Sequence, residues 1–150
     1  MSRLSPTELT AFLQEPHLCR LGCVDEGGYP YVVPCWFHYA DGGFYLVPRA
    51  RSAWASYLQQ DPRVFLCIDA ENGRRVLVKG KAQLLEAPNL GGRWLAIARE
   101  MALRYQGQAG LQYLETTSNE PRWLFFVAPE QMLSSRGGWA KRYKHSDWIM

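Results

Sequence analysis

The amino-acid sequence predicts a mainly β protein: a closed antiparallel barrel of about six strands with a few peripheral α-helices. Short apolar segments recur along the chain, and glycine-rich or acidic turns separate them, as in β-hairpins. The first three segments have no helix between them, whereas parallel strands need a crossover. Helical patterns are few and come mostly late, so they fit as covers on a barrel.

The chain opens with a capped helix and two hairpins. Residues 5–8, Ser-Pro-Thr-Glu, form a capping box with proline at the first helical position, and the helix ends before Pro16. Turns at residues 26–28 and 41–43 separate three apolar segments. The predicted strands are Leu18–Val24, Tyr31–Tyr39 and Phe44–Val47.

The middle of the chain alternates between helix and strand. Ser52 can cap a short helix, which ends at Asp61-Pro62. A buried strand at Val64–Ile68 and a long strand at Arg75–Leu85 follow. Gly80 lies in the middle of the long strand, which indicates a bulge or a close approach of another backbone.

The last third of the chain contains the clearest helix. Residues Arg93–Tyr105 repeat apolar side chains at the spacing of one buried helical face. A second helical piece is predicted at Ala109–Glu115, after a glycine-rich break. A last strand, Arg122–Val127, should end at Pro129.

Length and composition fit one domain that spans residues 1–150. Of the 150 residues, 47% are apolar and 13% are aromatic, which is typical of a globular chain. No stretch approaches the roughly 20 apolar residues of a membrane span, and no cleavable signal precedes the first helix. We therefore expect a cytoplasmic protein that does not associate with membranes.

Charge and cysteine usage exclude further classes of function. The net charge of +3 is mild, and Lys and Arg occur in short pairs, which suit a small phosphate or carboxylate better than nucleic acid. The four cysteines lie in apolar segments without a CxxC pair, and the three histidines are scattered. We expect core thiols, no disulfide framework and no metal site.

The order of motifs between residues 28 and 68 carries a resemblance. The motifs are Gly28-Tyr29-Pro30, a strand ending Phe37-His38-Tyr39, Asp41-Gly42-Gly43, the strand Phe44–Val47, a loop ending in Ser52, and a helix ending Asp61-Pro62-Arg63-Val64. Residues 78–82, Val-Lys-Gly-Lys-Ala, match a later strand motif. In this order and spacing the chain resembles the flavin-binding split barrel of the pyridoxamine 5'-phosphate oxidase-like superfamily.

The resemblance implies a fold and a chemistry. The fold is a six-stranded antiparallel split β-barrel of Greek-key type with peripheral helices, and two barrels form a homodimer with cofactor sites at the interface. The common cofactor is FMN, some branches use the deazaflavin coenzyme F-420, and a few bind haem. The chemistry is hydride or electron transfer to a small, often conjugated substrate. The cofactor supplies the redox chemistry, so no catalytic residue is predicted.

The chain departs from the oxidase pattern where that pattern binds phosphate. The oxidase proper has basic residues where Val32 and Phe37 stand, and an Arg-Lys pair where Ala53-Trp54 stands. The Arg-x-His substrate motif is also missing from the C-terminus. These departures argue against a pyridoxamine phosphate oxidase as such. They keep two other classes open: a flavin or haem carrier without turnover, and a barrel that has lost its cofactor and binds a protein partner.

Ten residues remain as candidates for holding the cofactor. Arg49 and Arg51 can replace the missing charges from the same loop, and the helix that begins after Ser52 favours an anion at its N-terminus. Trp54 can cover the dimethylbenzene edge of a flavin. The full set is Pro34, Trp36, Arg49, Arg51, Ser52, Trp54, Lys79, Trp139, Lys141 and Arg142.

Overall fold

The computed structural model describes residues 3–137. Within this range the elements are α1 Pro6–Leu13, β1 Cys19–Val24, β2 Pro30–Cys35, β3 His38–Ala40, β4 Gly43–Leu46, α2 Ala53–Gln60, β5 Arg63–Asp69, β6 Arg75–Asn89, α3 Arg93–Thr117 and β7 Arg122–Ser135. All neighbouring strands are antiparallel, in the order β2-β1-β5-β6-β7-β4-β3. The mainly β antiparallel prediction is confirmed, with seven strands in place of six.

The sheet packs around one main core. β1 and β5 alternate between buried and more exposed side chains, so one face of each strand is apolar and turned inward. Phe12 and Leu13 of α1 and Leu58 of α2 are buried against this face. β2 and β3 are the two ends of the sheet yet are consecutive in the chain, so the two residues between them join the ends of the barrel.

A second core lies between the sheet and α3. Trp94, fully buried, and Ala98 of α3 pack with Leu124 of β7. β4 contributes to both cores, because Phe44 belongs to the first cluster and Tyr45 to the second. This explains why all four residues of β4 are buried. The helical periodicity predicted for the start of α3 is therefore confirmed.

The single strand predicted at Tyr31–Tyr39 is wrong, because the chain breaks at Trp36 and Phe37. Phe37 is fully buried, and its backbone is bonded to α3 instead of to a strand. Its N–H donates to the Tyr105 hydroxyl at 3.3 Å, and its carbonyl accepts from the Arg104 guanidinium. Side chains of α3 thus replace the ladder bonds that would have continued the strand.

The long strands also extend beyond their predicted ends. β6 runs to Asn89, and β7 continues past Pro129 to Ser135. Pro129 is tolerated because it pairs with Gly80 at a shift of the register between β6 and β7, where no ladder donor is needed. The predicted close approach at Gly80 is confirmed, since a Cβ there would lie 2.7 Å from the Ala128 carbonyl oxygen.

The predicted break between two helical pieces is a kink inside α3. Gly107 has φ 63° and ψ −147°, a conformation that favours glycine. The kink lets Gly110 pack on the preceding helical segment, where a Cβ would lie 2.5 Å from the Ala102 carbonyl oxygen. No helix within residues 3–137 is long and apolar enough to cross a membrane.

Candidate functional site

A pocket of about 310 Å³ opens between the kinked helix α3 and one end of the barrel. Its walls come from four parts of the chain. Cys35 is the last residue of β2, and Trp36 follows it in the strand break. Val47 and Arg49 belong to the loop after β4, Trp54 to α2, and the remaining wall to α3 and the start of β7. The strand break includes Trp36, and the kink at Gly107 lies between Gln106 and Gly110, and all three of these flanking residues line the pocket.

Aromatic side chains form much of the pocket wall. Trp36 stacks on Tyr105, with ring centroids 4.6 Å apart and an angle of 6° between the planes. Trp54 is half-buried against the main core, and Tyr113 of α3 is exposed. Met101 and Ala102 lie in the same wall, on the buried side of α3. Such a wall suits a flat, apolar ring system.

The loop that carries Arg49 is held against the start of β7. The N–H of Trp123 donates to the Pro48 carbonyl at 3.0 Å, and the N–H of Ala50 donates to the Pro121 carbonyl at 2.9 Å. The backbones of Arg49 and Arg122 form a bridge. These bonds fix the loop, so Arg49 is aimed into the pocket by backbone contacts.

Glu120 pairs with both arginines of this loop. Its carboxylate lies 3.1 Å from Arg49 Nη1 and 3.5 Å from Arg51 Nη2. The Arg51 side chain is 76% exposed, whereas that of Arg49 is 29% exposed. Only the Arg49 pair is therefore sheltered from solvent, and the Arg51 pair is weak because water screens it.

Arg122 adds a third guanidinium to this end of the pocket. It is buried, its Nη1 donates to the carbonyls of Thr117 and Glu120 at 2.9 and 3.1 Å, and its Nη2 donates to Thr117 Oγ1 at 3.0 Å. Its guanidinium carbon lies 4.8 Å from the centre of a Trp94 ring. Burial, and then repulsion by Arg49, lower the pKa of Arg122. A nearby anion would favour the charged form of Arg122 and so offset both effects on its pKa.

The site combines flat apolar walls with excess positive charge. At one edge of the pocket, three arginines lie near a single carboxylate, that of Glu120. They are Arg49, Arg51 and Arg122. Among the described residues that line the pocket, none is a histidine or a carboxylate. The pocket therefore offers flat apolar surface beside guanidinium groups, and Cys35 and Tyr113 in its wall carry protons that can be exchanged.

The structure brings together part of the predicted cofactor set. Trp36, Arg49 and Trp54 line the pocket. Arg51 and Ser52 belong to the same loop but lie outside its wall. Ser52 takes the N-cap position of α2, although its side chain makes no capping hydrogen bond.

The other predicted residues lie elsewhere. Pro34 is exposed on β2, at the edge of the sheet. Lys79 is exposed and lines a second pocket of about 450 Å³, together with Lys81 and Arg63. Trp139, Lys141 and Arg142 lie outside the described residues.

Sequence reasoning missed the contribution of α3 and β7 to the site. The sequence pattern predicts Arg122 only as the first residue of a strand, and Met101 only as a core residue. Met101 is indeed buried, yet it also lines the pocket. The glycine break before Gly110 was the available signal, because a kinked helix over a barrel leaves a cleft.

A polar cluster lies on the other side of α3. His38 Nε2 is 3.1 Å from Glu100 Oε2, and the Tyr45 hydroxyl donates to Asp41 Oδ2 at 2.7 Å. Burial lowers the pKa of His38, against the opposite effect of Glu100. Within residues 3–137, no group of three or more His, Cys, Asp or Glu side chains can hold a metal ion.

Comparison with known proteins agrees with this fold. The family model described as pyridoxamine 5'-phosphate oxidase matches residues 5–133, which is most of the chain. The chain belongs to the pyridoxamine 5'-phosphate oxidase-like family. The recognition made from residues 28–68 is thereby confirmed, and so is the split-barrel class. None of the curated proteins compared with this chain matches it significantly.

Solved structures of different character share the fold. The heme storage protein HutZ from Vibrio cholerae is 22% identical and has a TM-score of 0.69, over 91% of this chain and 98% of its own. A FAD-binding protein from Mesorhizobium loti is 26% identical, with a TM-score of 0.60 over 89% and 94% of the two chains. An F-420 reductase is 17% identical, with a TM-score of 0.62 over 81% and 93%. Proteins with these three different descriptions therefore share one fold with this chain.

Proposed function

We propose that this protein is a flavin-dependent oxidoreductase that binds FMN in the α3 pocket and transfers hydride or electrons to a small conjugated substrate. One observation carries the proposal: two indoles, Trp36 and Trp54, line the same pocket as two guanidiniums, Arg49 and Arg122. FMN joins a flat tricyclic ring to a phosphate, so each of these two features of the pocket has a counterpart in this ligand.

The ring system would occupy the aromatic part of the pocket. One face of Trp36 is already covered by Tyr105, so the indole is held rigidly. A rigid aromatic wall binds a planar ring at a low cost in conformational entropy. Burial of the ring among Trp54, Met101 and Ala102 would also exclude water from it.

The phosphate would bind at the arginine end. Charge-assisted hydrogen bonds from guanidinium to phosphate are short and strong, and Arg49 is oriented by its loop. Glu120 competes for the same N–H groups, so binding requires that a phosphate displace this carboxylate or share Arg49 with it. This competition predicts a lower affinity than that of a site whose arginines have no carboxylate partner.

When bound, FMN supplies the redox chemistry. The residues of this chain bind the ring, orient it and shield it from solvent. We propose a homodimer, because Tyr29, Val32 and Phe65 expose 72%, 67% and 44% of their surface on the β1–β2 turn, β2 and β5. A second copy would cover these apolar side chains.

The deazaflavin coenzyme F-420 is a second candidate. Arg51 lies beside Glu120 but outside the pocket wall, and its side chain is mostly exposed. A ligand with a long acidic tail that leaves the pocket would reach it, whereas the short phosphate of FMN would not need to. The fold that this chain shares with an F-420 reductase is consistent with this alternative.

The test of binding is a titration of tryptophan fluorescence. Purified protein is titrated with FMN, with coenzyme F-420 and with hemin in separate experiments, and Arg49→Ala is compared with Arg20→Ala. Arg20 is a matched control, since it forms an exposed ion pair with Asp69 and lines no part of the pocket. We expect saturable quenching by FMN, weaker in Arg49→Ala and unchanged in Arg20→Ala.

Other outcomes redirect the proposal. Tight binding of coenzyme F-420 with no response to FMN would replace the cofactor. A Soret band with hemin alone would favour a haem-binding role, for which Cys35, Met101 and Tyr113 are the possible axial ligands in the pocket wall. If neither FMN, coenzyme F-420 nor hemin binds, the remaining alternative is a protein that has no cofactor and interacts with a protein partner.

Turnover separates an enzyme from a carrier. Reduced FMN is mixed with a quinone acceptor in the presence and absence of the protein under anaerobic conditions. An enzyme accelerates the loss of reduced flavin absorbance above the rate of free FMN. A carrier binds the flavin and leaves that rate equal or lower.

A further inference from the structure

Two cysteines face each other across the first hairpin. Cys19 of β1 pairs directly with Cys35 of β2. The N–H of Asp25 donates to the Tyr29 carbonyl, and alternation along the ladder makes the pair of Cys19 and Cys35 a hydrogen-bonded pair. The Cα atoms of such a pair are about 5.5 Å apart, within the range of a disulfide.

Both side chains point to the same face of the hairpin. Residues opposite each other in an antiparallel pair share a face, and both cysteines pack in the main core cluster. The register therefore places the two thiols next to each other on that face. Both are free thiols in this structure. Opposite Cβ atoms lie about 4.5–5.5 Å apart, whereas a disulfide holds them about 3.5–4.5 Å apart, so the bond requires a small inward movement of the two residues.

The other two cysteines cannot take either place. Cys67 lies opposite Arg20 on β5, one residue out of step with Cys19, so its side chain points to the other face. Cys23 lies on the same face as Cys19 but four residues along β1, roughly 13 Å away at the rise of a strand. The geometry selects one pair out of four cysteines.

The two thiols differ in their access to small molecules. Cys35 lines the α3 pocket beside Trp36, so a reagent that enters the pocket reaches it. Cys19 is fully buried behind it. The hydrogen bond with Cys35, together with burial, raises the pKa of Cys19, which keeps Cys19 a thiol at neutral pH. Cys35 therefore reacts first, and Cys19 resolves.

We propose that Cys19 and Cys35 are a redox-active dithiol that forms a reversible disulfide when a hydroperoxide enters the α3 pocket. The sulfur of Cys35 attacks the peroxide, an S–O bond forms, the O–O bond breaks and water leaves, which gives a sulfenic acid. The sulfur of Cys19 then attacks the sulfur of Cys35, the S–S bond forms, and the hydroxyl leaves as a second water. Two thiols and one hydrogen peroxide become one disulfide and two waters.

The bridge would change the pocket. It draws the Cys35 sulfur out of the wall toward β1, and it ties the end of β2 immediately before Trp36. The indole that stacks on Tyr105 is thus coupled to the oxidation state of the dithiol. This inference requires no bound flavin, so it stands or fails separately from the proposed function.

The experiment is a count of free thiols in the full chain. Reduced protein is treated with hydrogen peroxide, quenched with catalase, denatured and titrated for thiols, and the peptides are mapped after trypsin digestion. We expect the count to fall from four thiols to two and to return with dithiothreitol. Trypsin cleaves after Arg20 and separates Cys19 from Cys35, whereas Cys23 stays in the peptide of Cys35. The Cys23→Ser variant removes that ambiguity.

Four serine variants complete the test. Cys23→Ser and Cys67→Ser should each lose two thiols, as the wild type does. Cys35→Ser should lose none, and Cys19→Ser should accumulate a sulfenic acid that dimedone traps on Cys35. The proposal is overturned if the wild type keeps all its thiols, if the mapped bridge joins another pair, or if Cys35→Ser still loses two. Digestion of the wild type with chymotrypsin, which cleaves after Tyr31 between Cys23 and Cys35, decides the matter even where a variant does not fold.

Discussion

The two large pockets of this protein carry similar charges on very different frameworks. The α3 pocket collects its residues from β2, the loop after β4, α2, α3 and β7, and its Arg49 is paired with Glu120. The second pocket lies along paired strands, where Lys79 and Lys81 flank Gly80 on β6. Within residues 3–137 neither of these lysines forms an ion pair.

The difference shows what makes a basic pair into a binding site. The lysines of the second pocket share a face only because they are two residues apart on a strand. The arginines of the α3 pocket are held by backbone bonds and stand beside aromatic walls. Positive charge alone is common on protein surfaces. To select an aromatic anion, a site also needs oriented charged groups beside an apolar wall that excludes water. The predictions below test this distinction.

Removal of charge should have the largest effect, and only in one pocket. Arg49→Ala with Arg51→Ala should weaken FMN binding by at least ~10-fold, because one charge-assisted hydrogen bond contributes about 1.5–3 kcal/mol. Lys79→Ala with Lys81→Ala should change it by less than about 2-fold. Fluorescence titration measures both. A comparable loss in the lysine variant would mean that the second pocket of a partner copy completes the site.

Each pocket also contains a glycine against a carbonyl oxygen. A Cβ at Gly110 or at Gly80 would lie 2.5 or 2.7 Å from a backbone oxygen. Gly110→Ala and Gly80→Ala should each lower the free energy of unfolding by about 1–3 kcal/mol, as measured in urea. Only Gly110→Ala should also weaken FMN binding, since Gly110 lines the α3 pocket. Equal effects on binding would contradict the assignment of the site.

Removal of the competing carboxylate should have a smaller effect of opposite sign. Glu120→Gln should strengthen FMN binding about 2- to 5-fold, because it frees Arg49 and Arg51 from ion pairs worth up to about 1 kcal/mol each. Glu115→Gln is a matched control, since Glu115 is exposed on the last turns of α3, five residues before Glu120, and lies outside the pocket wall. Weaker binding in Glu120→Gln would show that this carboxylate orients Arg49 and does not compete with the ligand.

The smallest expected effect is a pH dependence of stability on the far side of α3. Burial lowers the pKa of His38 below its ordinary 6.5, so the folded state binds this proton less readily than the unfolded chain. The contribution of His38 to the free energy of unfolding is complete above pH 6.5. It is lost as the pH falls through the pKa of the unfolded chain toward the lower pKa of the folded protein. His38→Asn should flatten urea stability between pH 7 and 5. Arg104 lowers the pKa of His38 in the same direction as burial, so an unchanged slope would mean that Glu100 and Asp41 compensate for both.

Local periodicity was sufficient for most of the fold. The capping box at Ser5 and Glu8 has both of its hydrogen bonds, and the hairpin turns lie where glycine was expected. The apolar stripe of α3 is buried as its spacing required. The failures occurred where distant groups satisfy the backbone, as at Phe37, whose partners Arg104 and Tyr105 lie more than sixty residues away in the chain.

The antiparallel barrel, the break in α3 and the family could all be predicted from the amino-acid sequence, because periodicity, turn residues and motif order are local properties. Trp36, Arg49 and Trp54, which the sequence predicts as cofactor-binding residues, line one pocket in the structure. Which charged groups lie next to Arg49 depends on the tertiary structure. Glu120 and Arg122 are brought to it by the bridge between the loop and β7. Contacts of this kind depend on strand register and on the packing of α3, which no spacing along the chain encodes.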